Sequence, residues 1–325
     1  MLTKERIMGP SGRAVNAGFS PDKVLRRDQQ ESGSGPRAHP AGTWGLPAKE
    51  HFSILTSHFK TGVLAMKLTP SFFENLSQPR KGHFARAGRV SLYYETYGRG
   101  QPLVLLHGGL SCIAGLRFQI AFFSRYFKVF VPERPGHGHT PDTPGAYRYE
   151  TFASQTAAWM ETLGLRKARM MGTSDGANIL FYLAAKKPRL VERFAAVGGN
   201  LHPSGCEPVF QRALRRQAIP DPDPRYSAAS PDGAGHYAAV FEKCRRLWLT
   251  QPQWKPALLS AIRAPVLILA GDRDVIRTEH SAAMLRALRR GQLAVIPGST
   301  HSVLKEKPDL VNRILLEFFQ EKISS

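Results

Sequence analysis

The chain has 325 residues, of which 42% are hydrophobic and 22% charged, and 45 Lys and Arg against 25 Asp and Glu give a formal net charge of +20. This length and balance exclude a disulfide-stapled miniprotein and a fully disordered chain, and they allow one large or two modest domains. Apolar runs are short and broken by Gly, Pro or charge, whereas a membrane-spanning helix needs about 20 such residues in succession, so a soluble protein is expected.

The positive charge is spread out. Arg212, Arg215, Arg216 and Lys186, Lys187 are short clusters at helical spacing, which reads as a solvated face and not as a nucleic-acid or membrane surface. Cys112, Cys206 and Cys244 are odd in number and lack C-x-x-C spacing, so neither a disulfide framework nor a zinc knuckle is expected, and a reducing, cytoplasmic location fits best.

From the amino terminus to about Lys60 the chain is rich in Gly, Pro, Ser and charge, as in Glu31 to Gly45, with neither helical nor strand periodicity. Residues 1–66 are therefore expected to be a disordered or non-native extension, with Met66 a candidate start of a shorter protein. The apolar but interrupted stretch Phe52–Leu68 is at most a short helix. A secretory signal is not expected, because no apolar core follows the basic start.

Residues 67–325 are expected to form the folded domain. Strands are predicted at Ala85–Val90, Ser91–Tyr97, Leu103–His107, Lys128–Pro132, Ala168–Gly172, Phe194–Gly198, Val266–Ala270 and Gln292–Ile296, with helices between most of them. The clearest helix is Glu150–Leu163, where Phe152, Thr156, Trp159, Met160 and Leu163 share a face and Gly164 ends it. Asp175–Lys187 and Pro308–Glu321 follow. Strands that begin as antiparallel neighbours and then alternate with helices predict an α/β fold, a mostly parallel eight-stranded sheet with helices on both faces. Residues 199–264 break the rhythm, with helical pieces at Val209–Gln217, Tyr237–Leu249 and Lys255–Ile262 and a Pro/Asp/Ser-rich connection from Pro220 to Gly235. This reads as a small helical cap over the strand ends, where ligands of such sheets bind.

The sharpest chemical feature is Gly172-Thr173-Ser174-Asp175-Gly176, a G-x-S-x-G between the strand ending at Gly172 and the helix starting at Asp175. A strand turning sharply into a helix strains the serine backbone, needs glycines where a Cβ would collide, and presents the hydroxyl to solvent. A serine hydroxyl is a weak nucleophile until a base takes its proton and an acid holds that base. His301, after the last strand, is the candidate base. Asp274, after the strand Val266–Ala270, is the candidate acid and is favoured over Asp272 because it reaches further into its loop. The chain order Ser, Asp, His is that of α/β-hydrolases and not of trypsin-like or subtilisin-like proteases. For the oxyanion, the expected donors are the backbone N–H groups of Asp175 and of Gly109 in His107-Gly108-Gly109-Leu110. His107 is read as a ring that buttresses its loop, and the glycines of Arg134-Pro135-Gly136-His137-Gly138-His139-Thr140 as conformational.

Taken together, HGG at 107–109, RPGHGHT at 134–140, GTSDGA at 172–177, GDRD at 271–274 and His301 resemble the α/β-hydrolase superfamily over about 240 residues. Within it, Ser174-Asp175-Gly176 and the modest cap look like the biphenyl-hydrolase-like group, which includes valacyclovir hydrolase. That resemblance implies a role for the Asp175 carboxylate in holding a substrate amino group, although Thr173 stands where that relative has Trp. It also implies a two-step acyl-enzyme mechanism with no metal or organic cofactor. The cap aromatics Tyr226, Tyr237, Phe241, Trp248 and Trp254 are candidates for pocket walls or for plain core, with Trp248 the substrate-binding candidate.

The expected function is a serine hydrolase acting on a small carboxylic ester or related acyl substrate, with a small-molecule substrate as its partner and neither nucleic acid nor membrane. A carbon–carbon bond hydrolase or enol-lactonase with the same three residues, and a non-catalytic receptor or scaffold on this fold, are the alternatives.

Overall fold

The structure, a computed structural model, describes residues 82–321. The expectations placed on residues 1–66, Phe52–Leu68 among them, fall outside those residues. No described helix is long and apolar enough to cross a membrane.

Eight strands form one sheet: β1 (His83–Ala87), β2 (Val90–Tyr97), β3 (Pro102–Leu106), β4 (Lys128–Pro132), β5 (Ala168–Thr173), β6 (Val191–Val197), β7 (Val266–Gly271) and β8 (Gly291–Ile296). Their order is β1-β2-β4-β3-β5-β6-β7-β8. The pairs β1–β2 and β2–β4 are antiparallel and the rest parallel, as the sequence pattern predicts. Several boundaries differ: β1 starts at His83 instead of Ala85 and β6 at Val191 instead of Phe194, and Gly88–Val90 does not continue the first strand, because Ala87 pairs with Val90 and the chain turns at Gly88, whose φ of +70° a glycine adopts without strain.

β3 and β7 are apolar at every position because both faces are covered, and the two-residue period sorts the side chains of the inner strands. Val104 and Leu106 of β3, Phe194 of β6 and Ile268 of β7 pack with Trp159, Met160 and Phe181 of the helices Tyr149–Thr162 and Asp175–Lys186. Leu103 and Leu105, Val197 and Leu269 pack on the other face with Phe123 of the helix Arg117–Phe123 and Leu315 and Phe319 of the helix Pro308–Gln320. Buried Arg193 of β6 donates to the carbonyls of Phe318 and Glu321, satisfying the end of that last helix.

Between β6 and β7 the chain makes the helices Pro208–Arg216, Pro224–Ala229, Tyr237–Thr250 and the single turn Ala257–Ser260. The last is shorter than the Lys255–Ile262 expected, since Pro256 cannot donate a helical hydrogen bond and so starts the turn instead of sitting within it. The connection from Pro220 to Gly235 contains Pro224–Ala229, whose start carries a legible signal: the Asp223 carboxylate accepts the Arg225 N–H over 2.8 Å with Pro224 at the first helical position.

Candidate active site

β5 ends at Thr173 and a helix starts at Asp175, so Ser174 alone makes the turn, with φ 53° and ψ −116°. Few non-glycine residues occupy that region, and the surrounding packing holds it there. The flanking glycines have separate jobs. A Cβ on Gly172 would sit 2.3 Å from the Gly176 carbonyl carbon, and one on Gly176 would sit 2.3 Å from the carbonyl oxygen of Leu106 in β3. The Ser174 N–H donates to the Val197 carbonyl of β6 over 2.7 Å, which ties the elbow to its neighbouring strand.

The loops after β7 and β8 bring Asp274 and His301 to this serine. His301 Nδ1 lies 2.6 Å from Asp274 Oδ1, and His301 Nε2 lies 3.0 Å from Ser174 Oγ. Because an ionised carboxylate only accepts, Nδ1 carries the proton, Nε2 is left as an acceptor, and the Ser174 hydroxyl donates to it. Asp274 Oδ1 also accepts the Ile276 N–H at 2.9 Å. Gly198 makes room for this pair, since a Cβ there would lie 2.9 Å from His301 Cε1 and 3.3 Å from Asp274 Oδ2. Asp272 points elsewhere: its Oδ1 accepts the Ser299 N–H at 3.0 Å and pins the two loops together.

The strand-to-loop turn after β3 passes against the nucleophile. A Cβ on Gly108 would lie 3.3 Å from Ser174 Cβ, and Leu110 takes a positive φ of 49° to hold the bend. The Asp175 N–H lies in the first turn of its helix and has no partner within that helix. His107 is buried and bridges two loops, with Nδ1 donating to the Gly108 carbonyl at 2.8 Å and Nε2 accepting the Arg134 N–H at 3.3 Å. Burial, then the adjacent Arg134 guanidinium, pulls its pKa well below that of an ordinary histidine. Gly136 and Gly138 both have positive φ, and a Cβ on Gly138 would strike the Glu133 carboxylate.

The Asp175 side chain is only 2% exposed. Its Oδ1 accepts from Tyr149 Oη and from Trp248 Nε1, each at 2.9 Å, and its Oδ2 is paired with Arg134 Nη2 at 3.0 Å. All three donors come from the chain itself. Neither Arg134 nor Tyr149 stood out in the sequence as a partner of the elbow; Arg134 is the first residue of the glycine-rich run after β4, and only the fold carries it to Asp175.

A cavity of about 460 Å³ opens over Ser174 and His301. Of the five cap aromatics, Tyr226, Tyr237 and Trp248 line it. Phe241 is buried within the cap, and Trp254 stacks on Tyr182 and donates to Glu150 at 2.7 Å. Among the described residues no cluster of three His, Cys, Asp or Glu side chains is placed to hold a metal ion.

A sheet of this order, with a strained serine at the end of its fifth strand and a His–Asp pair on two later loops, is that of a hydrolase. The model of the alpha/beta hydrolase family matches residues 103–314, and the chain belongs to that family. It is 26% identical over 263 residues to 2-hydroxy-6-oxo-2,4-heptadienoate hydrolase of Pseudomonas putida, covering 73% of this chain and 95% of that one. It is 23% identical over 288 residues to the human serine hydrolase BPHL, covering 80% and 97%. In fold it is similar to a meta-cleavage product hydrolase from Pseudomonas fluorescens, with a TM-score of 0.62, 23% identity, and coverage of 73% and 97%.

Proposed function

We propose that the chain is a serine hydrolase that cleaves a small carboxylic ester or related acyl substrate through Ser174, His301 and Asp274. The observation that carries this reading is the continuous contact from Asp274 Oδ1 through the imidazole to Ser174 Oγ, 2.6 and 3.0 Å long, on the floor of a cavity large enough for a small molecule.

In the acylation step His301 Nε2 takes the Ser174 proton as Oγ bonds to the acyl carbon, and the oxyanion is held by the N–H groups of Gly109 and Asp175. Asp274 steadies the imidazolium. The intermediate collapses as the carbon–oxygen bond to the leaving group breaks, and His301 returns the proton to that alkoxide. Water, deprotonated by the same ring, then attacks the acyl-enzyme and releases the acid and the free serine. Trp248, Tyr226 and Tyr237 form the wall against which the acyl or alcohol portion rests. Asp175 contributes its backbone N–H to this chemistry and its carboxylate to the cap, because its oxygens are already engaged by Arg134, Tyr149 and Trp248.

Labelling with a fluorophosphonate tests this. Modification of the peptide carrying Ser174, lost in Ser174→Ala, is the expected result; a folded wild type that does not label overturns it in favour of a non-catalytic scaffold. The relative named as a heptadienoate hydrolase favours one second reading, carbon–carbon bond or enol-lactone hydrolysis by the same three residues. Product analysis on matched ester, lactone and dienoate substrates separates the two.

A further inference from the structure

The cavity wall carries four charged side chains, Asp175, Asp223, Arg225 and Lys305. Three of them are already answered. Asp175 is paired with Arg134, and Asp223 accepts from Arg225 at both oxygens, Nε to Oδ1 at 2.9 Å and Nη2 to Oδ2 at 2.6 Å. A two-pronged pair of this kind holds both members in one geometry.

Lys305 is left over. It is an exposed residue of the short helix Val303–Glu306 that follows His301, so its side chain enters the rim of the same cavity four residues beyond the candidate base. Among the described residues its ammonium makes no hydrogen bond or ion pair. The neighbouring acid does not reach it, because Glu306 is spent on the N–H and hydroxyl of Thr300, at 2.8 and 2.7 Å. Desolvation at the mouth, then the like charges of Arg225 and Arg117, lowers its pKa below that of an ordinary lysine, with Asp223 acting the other way. An anion placed there would relieve that crowding, and a cation would worsen it.

We propose that Lys305, backed by Arg225, is a carboxylate-binding subsite, and that the acyl substrate bears an anionic carboxylate held at the cavity mouth while its reacting carbonyl lies at Ser174. This deepens the serine-hydrolase reading and rests on it for the position of the carbonyl. The substrate class is thus a monoester of a dicarboxylic acid, or an acyl compound of equivalent charge, and not an amino-acid ester, whose ammonium the same mouth repels. The favourable orientation is also a kinetic one, since positive charge at a cavity mouth draws anions toward it.

The test is a binding titration in the full-length Ser174→Ala protein, followed by tryptophan fluorescence, with monobutyl glutarate, the neutral dibutyl ester and a trimethylammonium-bearing butyl ester as probes. The monoanion is expected to bind more tightly than the other two. Lys305→Gln is expected to weaken the monoanion about fivefold, the upper range for an exposed ion pair, with the neutral diester unchanged. Lys305→Arg should retain the preference, and added salt should erode it. Equal affinity for the monoanion in the Ser174→Ala and Ser174→Ala/Lys305→Gln proteins overturns the subsite, as does tighter binding of the ammonium ester or no saturable binding of the monoanion. Failure of the serine-hydrolase reading appears separately, as absent fluorophosphonate labelling in the wild type, because the titration requires no turnover.

Discussion

The indole Nε1 of Trp248 donates to Asp175 Oδ1 over 2.9 Å, and this bond joins the cap helix Tyr237–Thr250 to the residue that follows the elbow serine. It makes one residue serve two layers of the molecule. The Asp175 backbone begins the helix behind Ser174, and its carboxylate collects Arg134 from the loop after β4, Tyr149 from the helix Tyr149–Thr162 and Trp248 from the cap. The cap has two further ties of the same kind, from Trp254 to Glu150 and from Lys243 and His236 to Asp142. Three buried or half-buried carboxylates of the sheet domain thus hold the cap in place.

Replacing Asp175 with Ala should therefore be a stability lesion as much as a functional one. It leaves the Arg134 guanidinium, 8% exposed at its side chain, without a counter-charge, and removing one member of a buried ion pair costs about 3–5 kcal/mol. Urea unfolding should show a loss in that range. Asp175→Asn retains the shape and can still accept from Trp248, so it should lose less, and a cost near zero for Asp175→Ala would mean that the pair is hydrated.

The two candidate acids make opposite predictions. Asp274→Asn replaces an acceptor of the His301 Nδ1 proton by a group that can present N–H instead, and such a change at the acid of a serine triad lowers kcat by about 10⁴. Asp272→Asn alters the loop contacts to Ser299 and Arg273, away from His301, and should leave kcat within about threefold, at a stability cost of about 1 kcal/mol. Steady-state kinetics on whichever substrate proves to be hydrolysed distinguishes them. Comparable losses in the two variants would mean that Asp274 is not the partner of His301.

The sheet was legible because its inner strands are short apolar runs bounded by Gly, Pro or charge, and the elbow because G-x-S-x-G lies between a strand and a helix. Asp274 and His301 followed from their places at strand ends. Less legible was whatever depends on contacts between distant segments. The helix Arg117–Phe123 is seven residues long, without a side-chain cap, and its apolar run has no polar face to betray a period. Arg134 and Tyr149 are 41 and 26 residues from Asp175 in sequence, so no local pattern links them. The same holds for the cap aromatics: Tyr237 and Phe241 sit four residues apart on one helix, yet only the first faces the cavity.

Gly198 offers a test of how tightly the His301 ring is held. It has φ +61°, and a Cβ there would come within 3.0 Å of two atoms of the imidazole. Gly198→Ala is thus strained in its backbone and pushes the ring away from Ser174 as well. A fall in kcat of about a hundredfold or more is expected, with KM changing less, together with slower fluorophosphonate labelling. Unchanged labelling would show that the ring has slack that the packing does not suggest.

Acid should destabilise the protein through histidines that are folded in their neutral form. Burial first, then Arg134, holds His107 and His137 well below the ordinary histidine pKa of 6.5; His107 itself adds to the effect on His137. His280 is shifted the same way by burial and Arg277. Above pH 6.5 these rings are neutral in both the folded and the unfolded chain and the shift has no consequence. Below it the unfolded chain binds protons that the folded chain refuses, so stability falls with pH by about 1.4 kcal/mol per unit for each fully buried ring. His139 opposes this, since its bond to Glu133 raises its pKa and adds stability on the acid side, but it is one ring against three. Urea midpoints measured at about pH 7.5 and about pH 5.5 should therefore fall on acidification. A His137→Gln variant, less stable at neutral pH, should show a shallower decline by about one ring's share. An identical slope in the variant would mean that His137 takes up its proton in the folded state, in spite of the Arg134 guanidinium 3.5 Å from its Nε2.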